Sequence, residues 1–255
     1  MSSFNLISVK YGVNGTFDPW IEDGQADAWF KNMAGSEQYF GWLSEYDADQ
    51  PVIGSYGGQF TIGASILQRS IIVDGHIQST LAAAIDQSEL SKPDEETLYI
   101  VHIPQGVAVD FDRALSCTLS PTDGFCGYHS YFEYGGMKVK YSVLPFTSDC
   151  PRCAQTFERF GVTASHEIAD TITDPLGTSW VDKCGEEIGD ICNDMIGTAR
   201  GSDGKDYPVQ LLWSNRRNKC YGGDASIESV TTMGSSTTEE STEGWSKKPN
   251  LRSRR

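Results

Sequence analysis

The chain has 255 residues, a mass of 28.0 kDa and an apolar share of 38%, enough for one generous domain or two small ones, which excludes collagen-like, coiled-coil and wholly disordered architectures. Its 35 acidic and 20 basic residues leave a net charge of -15 and a pI near 4.6. Such a field repels phosphate backbones and anionic lipid heads, so neither nucleic acid nor a membrane surface is an expected partner.

The first element is a strand over Phe4–Gly12, β-branched and aromatic, closed by Gly12 and the Asn14-Gly15 turn. From Asp23 to Tyr46, Ala26, Trp29, Phe30, Met33, Tyr39, Phe40 and Leu43 recur at helical spacing, and Gly35 splits the run. A strand is expected over Gln59–Leu67. A helix then starts at Asp74 as its N-cap and carries Ile77, Leu81, Ala82 and Ile85; a strand over Thr97–Pro104 follows. Tyr128–Phe146 reads as a hairpin turning at Gly135-Gly136. A helix is expected from about Ala154 to Thr173, stopped by Pro175, and a last strand over Val209–Trp213 after a turn at Asp203-Gly204. Strands alternating with helices, then a hairpin and a late helix, predict an α+β (mixed α/β) fold in residues 1–223. From Asp224 onward Ser, Thr, Glu and Gly dominate, which predicts a disordered polar tail. That tail carries five acids and five bases, so the excess negative charge belongs to residues 1–223.

No stretch reaches the roughly 20 apolar residues of a spanning helix, and Met1-Ser2-Ser3 lacks the features of a signal peptide. The seven cysteines, Cys117, Cys126, Cys150, Cys153, Cys184, Cys192 and Cys220, all lie in the second half. A structural zinc would need paired knuckles, and only Cys150/Cys153 offers one half of that; disulfides in an oxidising compartment fit better. The Asn14-Gly15-Thr16 sequon agrees. The chain is therefore read as the mature form of a secreted protein.

The sharpest chemical signal is Ser165-His166-Glu167-Ile168-Ala169-Asp170, within the expected helix. Residues four apart share a helical face, so His166 and Asp170 point the same way with Glu167 on the flank. This is the H-E-x-x-H metal helix with its second histidine replaced by aspartate. In that layout the two face residues hold the ion, and the glutamate deprotonates a water whose pKa the ion has lowered. The bland alternative is an ordinary His166/Asp170 pair beside a solvated Glu167. Downstream, Asp174, Asp182, Glu186, Glu187, Asp190 and Asp194 crowd around Trp180, with Glu187 and Asp190 the nearest sources of a third ligand. Cys192 stands next to them, where a disulfide would pin their loop. A solvated acidic loop and an all-oxygen calcium site remain open. His76 reads as a surface or capping residue and His102 as a core histidine. Neither a G-x-S-x-G elbow nor a phosphate loop occurs.

The run His166–Asp170, then Thr173-Asp174-Pro175, Trp180, Glu187–Cys192 and Val209–Ser214 to Cys220 resembles the EXORDIUM, or phosphate-induced, family and the bacterial and fungal secreted proteins with the same pattern. Cys117, the stretch Cys126–His129 and Cys150/Cys153 follow the family's order of motifs, so the resemblance covers about 117–220. It implies an extracellular, zincin-like domain, treated in some members as a peptidase and in plants tied to wall growth. It further implies His166 and Asp170 as metal ligands, Glu167 as general base, and Glu187 and Asp190 as remaining ligand or support. His129 becomes a further ligand or the stabiliser of the oxyanion. The disulfides it suggests are Cys117–Cys126, Cys150–Cys153 and Cys192–Cys220. Cys184 is left free, which allows a disulfide dimer of an otherwise monomeric chain. With aspartate at 170 the site is oxygen-rich: zinc is expected, with manganese or calcium open. The resulting expectation is a secreted zinc endopeptidase acting on polypeptides. The alternatives are a non-catalytic extracellular module that keeps the metal, and a calcium-stabilised structural domain.

Overall fold

The structure is a computed structural model and describes residues 1–46, 52–64, 70–116, 124–147, 150, 153 and 156–222. In chain order the elements are β1 (Ser3–Tyr11), α1 (Pro19–Glu22), α2 (Gln25–Ala34), α3 (Glu37–Leu43), a 3-10 turn (Ser44–Tyr46), β2 (Ile53–Ile62), β3 (Ser70–Val73), α4 (Asp74–Asp86), β4 (Thr97–His102), β5 (Val107–Phe111) and β6 (Ala114–Leu115). There follow β7 (Tyr128–Tyr134), β8 (Met137–Leu144), α5 (Phe157–Thr173), α6 (Ile188–Ile191), β9 (Ile196–Arg200), β10 (Asp206–Gln210), β11 (Leu212–Ser214) and β12 (Lys219–Tyr221). The fold is mixed α+β, as expected.

The main sheet has the order β2-β1-β4-β8-β7. Its first four strands are parallel, and β7 returns antiparallel along β8 through the Gly135-Gly136 turn, leaving β7 at the edge. Period-two alternation sends the two faces of each strand into different apolar clusters. Phe4, Leu6, Leu98 and Ile100 join Trp29, Phe30, Phe40, Phe160 and Ile168 beneath α2, α3 and α5. Ile7, Val9, Tyr99, Val101 and Val143 join Ile77, Leu81 and Ile85 of α4 on the opposite face. Each of these large side chains contributes about 1.5–3 kcal/mol by leaving water, and both faces of β4 are filled, which is why all six of its residues are buried.

α5 begins where Thr156 Oγ1 accepts the amide of Arg159. It ends at Asp174, before Pro175, and the buried Asp174 carboxylate accepts the amides of Thr178 and Ser179 at 2.6 Å each. That turn sends the chain back toward α6. Phe160, Ala164, Ile168 and Ile172 form its packing stripe at a spacing of four. A polar seam lies where the sheet meets α5: Ser8 Oγ stands 3.0 Å from His102 Nε2, and the Ser142 and Thr171 hydroxyls are 3.2 Å apart. Burial pushes His102 down to about 3, so it is the neutral core histidine expected; His76 is exposed on the first turn of α4.

Several expectations need correction. The strand placed over Gln59–Leu67 starts at Ile53, because Gly54 can be a strand residue here: a Cβ on it would stand 2.3 Å from Phe4 and from the carbonyl of Ala34. Residues 65–69 lie outside the described residues. The N-cap of α4 is Val73, not Asp74, whose carboxylate accepts the Tyr128 and Tyr141 hydroxyls at 2.6 and 2.5 Å and the Gln78 amide at 2.7 Å. Val209–Trp213 is two strands in two small sheets, broken where Leu211 N donates to Met195 O.

Cys126 pairs with Cys153, and Cys192 with Cys220. The second bridge is the expected one. The first overturns both Cys117–Cys126 and Cys150–Cys153, since each cysteine bonds once and the fold brings the start of β7 beside the entry to α5. Cys150 is itself disulfide-bonded, and Cys117 lies outside the described residues, as does the tail from Asp224. Cys184 is free and exposed. Among the described residues no helix is long and apolar enough to cross a membrane.

Candidate metal centre

α5 supplies His166, Glu167 and Asp170 from consecutive turns on its buried face. His166 Nε2 lies 3.1 Å from Asp170 Oδ2 and 3.6 Å from Asp190 Oδ1, the latter carried on α6. One donor atom from each of the three residues falls within 4.8 Å of the others, so together they have the spacing to hold a metal ion. α6 is only one turn long, and its position comes from its ends and its filling. Ile188 is fully buried in the cluster under α5, and the Cys192–Cys220 bridge fastens the far end to β12.

Gln210, at the end of β10, orients the imidazole. Its amide nitrogen donates to the Gly189 carbonyl at 2.8 Å, which turns its oxygen toward His166 Nδ1 at 3.2 Å. An amide oxygen only accepts, so Nδ1 carries a proton and the other ring nitrogen faces the two aspartates. Gln210 is held in turn by its backbone N–H, which donates to Ser165 Oγ at 2.8 Å, and the Ser165 carbonyl accepts Tyr39 OH at 3.0 Å.

Asp170 is fully buried. Its Oδ1 accepts Gly189 N at 2.8 Å, while Oδ2, the atom facing His166, has no hydrogen-bond partner. A buried carboxylate oxygen without a donor costs about 1–3 kcal/mol or more. Burial pushes the Asp170 carboxyl up to about 6, against the pull of His166 and with the help of Asp190. One imidazole nitrogen with two aspartates around it, and Glu167 Oε1 at 4.0 Å, is a donor set of the kind that holds a divalent cation. A divalent cation would satisfy the Asp170 oxygen that lacks a hydrogen bond and the ring nitrogen together.

Glu167 turns its other oxygen outward, Oε2 lying 3.7 Å from Nδ1 of His129 on the edge strand β7. The opposite ring nitrogen of His129 lies 3.4 Å from Glu187 Oε1, at the N-cap of α6. Burial alone would lower the pKa of His129, but the Glu187 and Glu167 carboxylates outweigh it and raise it to about 9. Of the expected site residues, the structure thus gathers His166, Asp170 and Asp190 at one point, with Glu167 beside them, and sets Glu187 against His129. The neighbouring acids serve the loop: Asp182 Oδ1 accepts the amides of Cys184 and Glu186, and Asp194 pairs with Arg159 at 2.8 Å.

Sequence reading did not single out Gln210 or Gly189. A glutamine inside the apolar run Val209–Trp213 was the available sign for the first. For Gly189 the sign is spatial: a Cβ there would stand 2.8 Å from Asp170 Oδ2 and 2.9 Å from His166 Nδ1. Gly189→Ala is accordingly expected to weaken metal affinity by about 10- to 100-fold, the usual effect of disturbing the groups that orient ligands. Competition against a chromophoric chelator measures this, and an unchanged affinity would show that the ligand pair tolerates the displacement.

Compared with family models, with curated proteins and with solved structures, the chain matches none.

Proposed function

We propose that the protein is an exported metal-dependent hydrolase of polypeptides, related to the EXORDIUM-like and zincin-like secreted proteins, in which His166, Asp170 and Asp190 hold the ion and Glu167 is the general base. The observation that carries this reading is the buried Asp170 Oδ2, without a hydrogen bond, clustered with the His166 ring nitrogen and Asp190, with Glu167 at its side. When bound, the ion would lower the pKa of a water toward neutrality and polarise the substrate carbonyl. Glu167, beside the three ligands, would accept a proton from a water held there. The His129 imidazolium, held between two carboxylates, donates toward the oxygen on which negative charge develops. One imidazole with two carboxylates suits zinc or manganese better than calcium, which takes six to eight oxygens. The disulfides support an oxidising compartment.

The test is cleavage of an unfolded polypeptide by the metal-loaded protein, abolished by a chelator and restored by zinc. A protein that binds its metal and cleaves nothing points to the second reading, a binding module that keeps the ion as a structural element. One observation favours that alternative: the side chains of His166, Glu167 and Asp170 are only 8%, 4% and 1% exposed, so the resting site is nearly closed.

A further inference from the structure

Gly127 immediately precedes β7, and the backbone is pinned on both sides of it. Cys126 is bonded to Cys153 ahead of α5, while the Tyr128 ring stacks on Phe111 at 3.9 Å and its hydroxyl donates to Asp74 Oδ1 at 2.6 Å. Gly127 is buried, and its φ lies outside the left-handed region, so no unusual backbone turn demands glycine here. Space does: a Cβ on Gly127 would stand 2.7 Å from Glu167 Oε1, 2.9 Å from its Cγ and 3.1 Å from its Cδ. Glu167 Oε1 is the oxygen that lies 4.0 Å from His166 Nε2. On the helix side the glutamate's backbone is fixed as firmly, because Ala164 and Ile168 are packed in the core and the Glu167 carbonyl accepts the Thr171 hydroxyl at 2.6 Å. Between two walls that hold their places, the carboxylate is the part that gives way.

We propose that Gly127 is the positioning residue of Glu167: the missing side chain at 127 leaves the volume in which Glu167 Oε1 lies beside the His166 ring nitrogen. A methyl group there drives that oxygen back by about 0.7 Å before contact becomes ordinary at 3.4 Å. A base displaced on this scale loses rate about 10- to 100-fold. Gly189 has the matching place on α6, where its missing Cβ leaves room for Asp170 and His166. Bare backbone thus faces the cluster from two elements, with Gly189 setting the ligands and Gly127 the base. The inference rests on the function proposed above, since it takes Glu167 as the general base, whereas the contact between Gly127 and Glu167 stands apart from that reading.

Two measurements on the intact chain test it, the first without metal or turnover. In thermal unfolding with chelator, Gly127→Ala should melt about 5 °C below the parent. The same change should cost nothing in a Glu167→Ala background, where the three atoms nearest the added methyl are gone. Should Gly127→Ala fail to fold alone, its recovery in that background is the same result. An equal loss in both backgrounds, or failure to fold in both, would overturn the proposal by showing that something other than Glu167 requires glycine. The second measurement is hydrolysis of casein by the zinc-loaded protein. Gly127→Ala should lower kcat about 10- to 100-fold with KM and zinc content unchanged, and should cost nothing further when added to Glu167→Gln. An unchanged kcat would overturn the proposal, and so would loss of zinc, by showing that the ligands moved instead of the base. A parent that binds zinc and cleaves nothing would overturn the hydrolase reading instead, and the unfolding comparison still decides whether Gly127 sets the position of Glu167.

Discussion

Asp170→Asn is expected to abolish metal binding while raising the stability of the metal-free protein at pH 7.5 by about 3 kcal/mol. The Asp170 carboxyl, ordinarily at 3.8, is pushed up to about 6 in the fold by burial, even with His166 pulling the other way. Between those two values the folded chain binds more protons than the unfolded one, so this group makes stability fall as pH rises from about 4 to 6, and the deficit is complete above 6. Asparagine is neutral throughout and escapes it. Thermal unfolding of both proteins in chelator should give a higher Tm for the variant at pH 7.5 and a difference that shrinks toward pH 4. Saturating metal reverses the order, because binding stabilises only the parent, by about 4 kcal/mol at a thousand times its dissociation constant. A metal-free variant less stable than the parent at pH 7.5 would mean that Asp170 holds the fold together rather than waiting for a cation. The metal affinity of the parent should fall as pH drops through about 6, where Asp170 takes up its proton.

Glu167→Gln has the largest expected effect on chemistry, a loss of about 10³-fold in polypeptide hydrolysis with metal content unchanged. Glutamine keeps the shape and the contact distance to His129 but cannot accept a proton from water at neutral pH. The prediction separates the general base from the ligand set: Glu167 Oε1 stands 4.0 Å from His166 Nε2, farther than either aspartate. The readouts are metal content and turnover on the same preparation. Full activity in the variant would remove Glu167 from the chemistry, and loss of metal would place it among the ligands.

Much of the scaffold was legible because its elements are periodic. The strands β1 and β4, the β7–β8 hairpin and helix α5 follow from alternation or a spacing of four, and the break at Gly35 separates α2 from α3 as expected. The His166/Asp170 pair was legible for the same reason, since helical geometry alone sets both on one face. What stayed hidden depends on distant parts of the chain. Cys126 bonds Cys153, 27 residues away, because the sheet and α5 bring them together, which cysteine order does not encode. Gln210 reaches His166 across 44 residues, and Gly189 earns its place only once α6 lies against α5. Glycine also masked β2, whose run through Gly54, Gly57 and Gly58 reads locally as a turn and forms a strand only by pairing with β1. Glu187 and Asp190 look alike in the sequence. Glu187 is the extended N-cap and Asp190 lies within the helical turn, so their side chains part, one at His129 and the other at His166.

The most direct test of the account is metal content per chain by mass spectrometry, on protein purified without chelator or affinity metal, beside His166→Ala. The account predicts about one equivalent of zinc or manganese in the parent and none in the variant. No transition metal in either protein, with the parent fully folded, would contradict it.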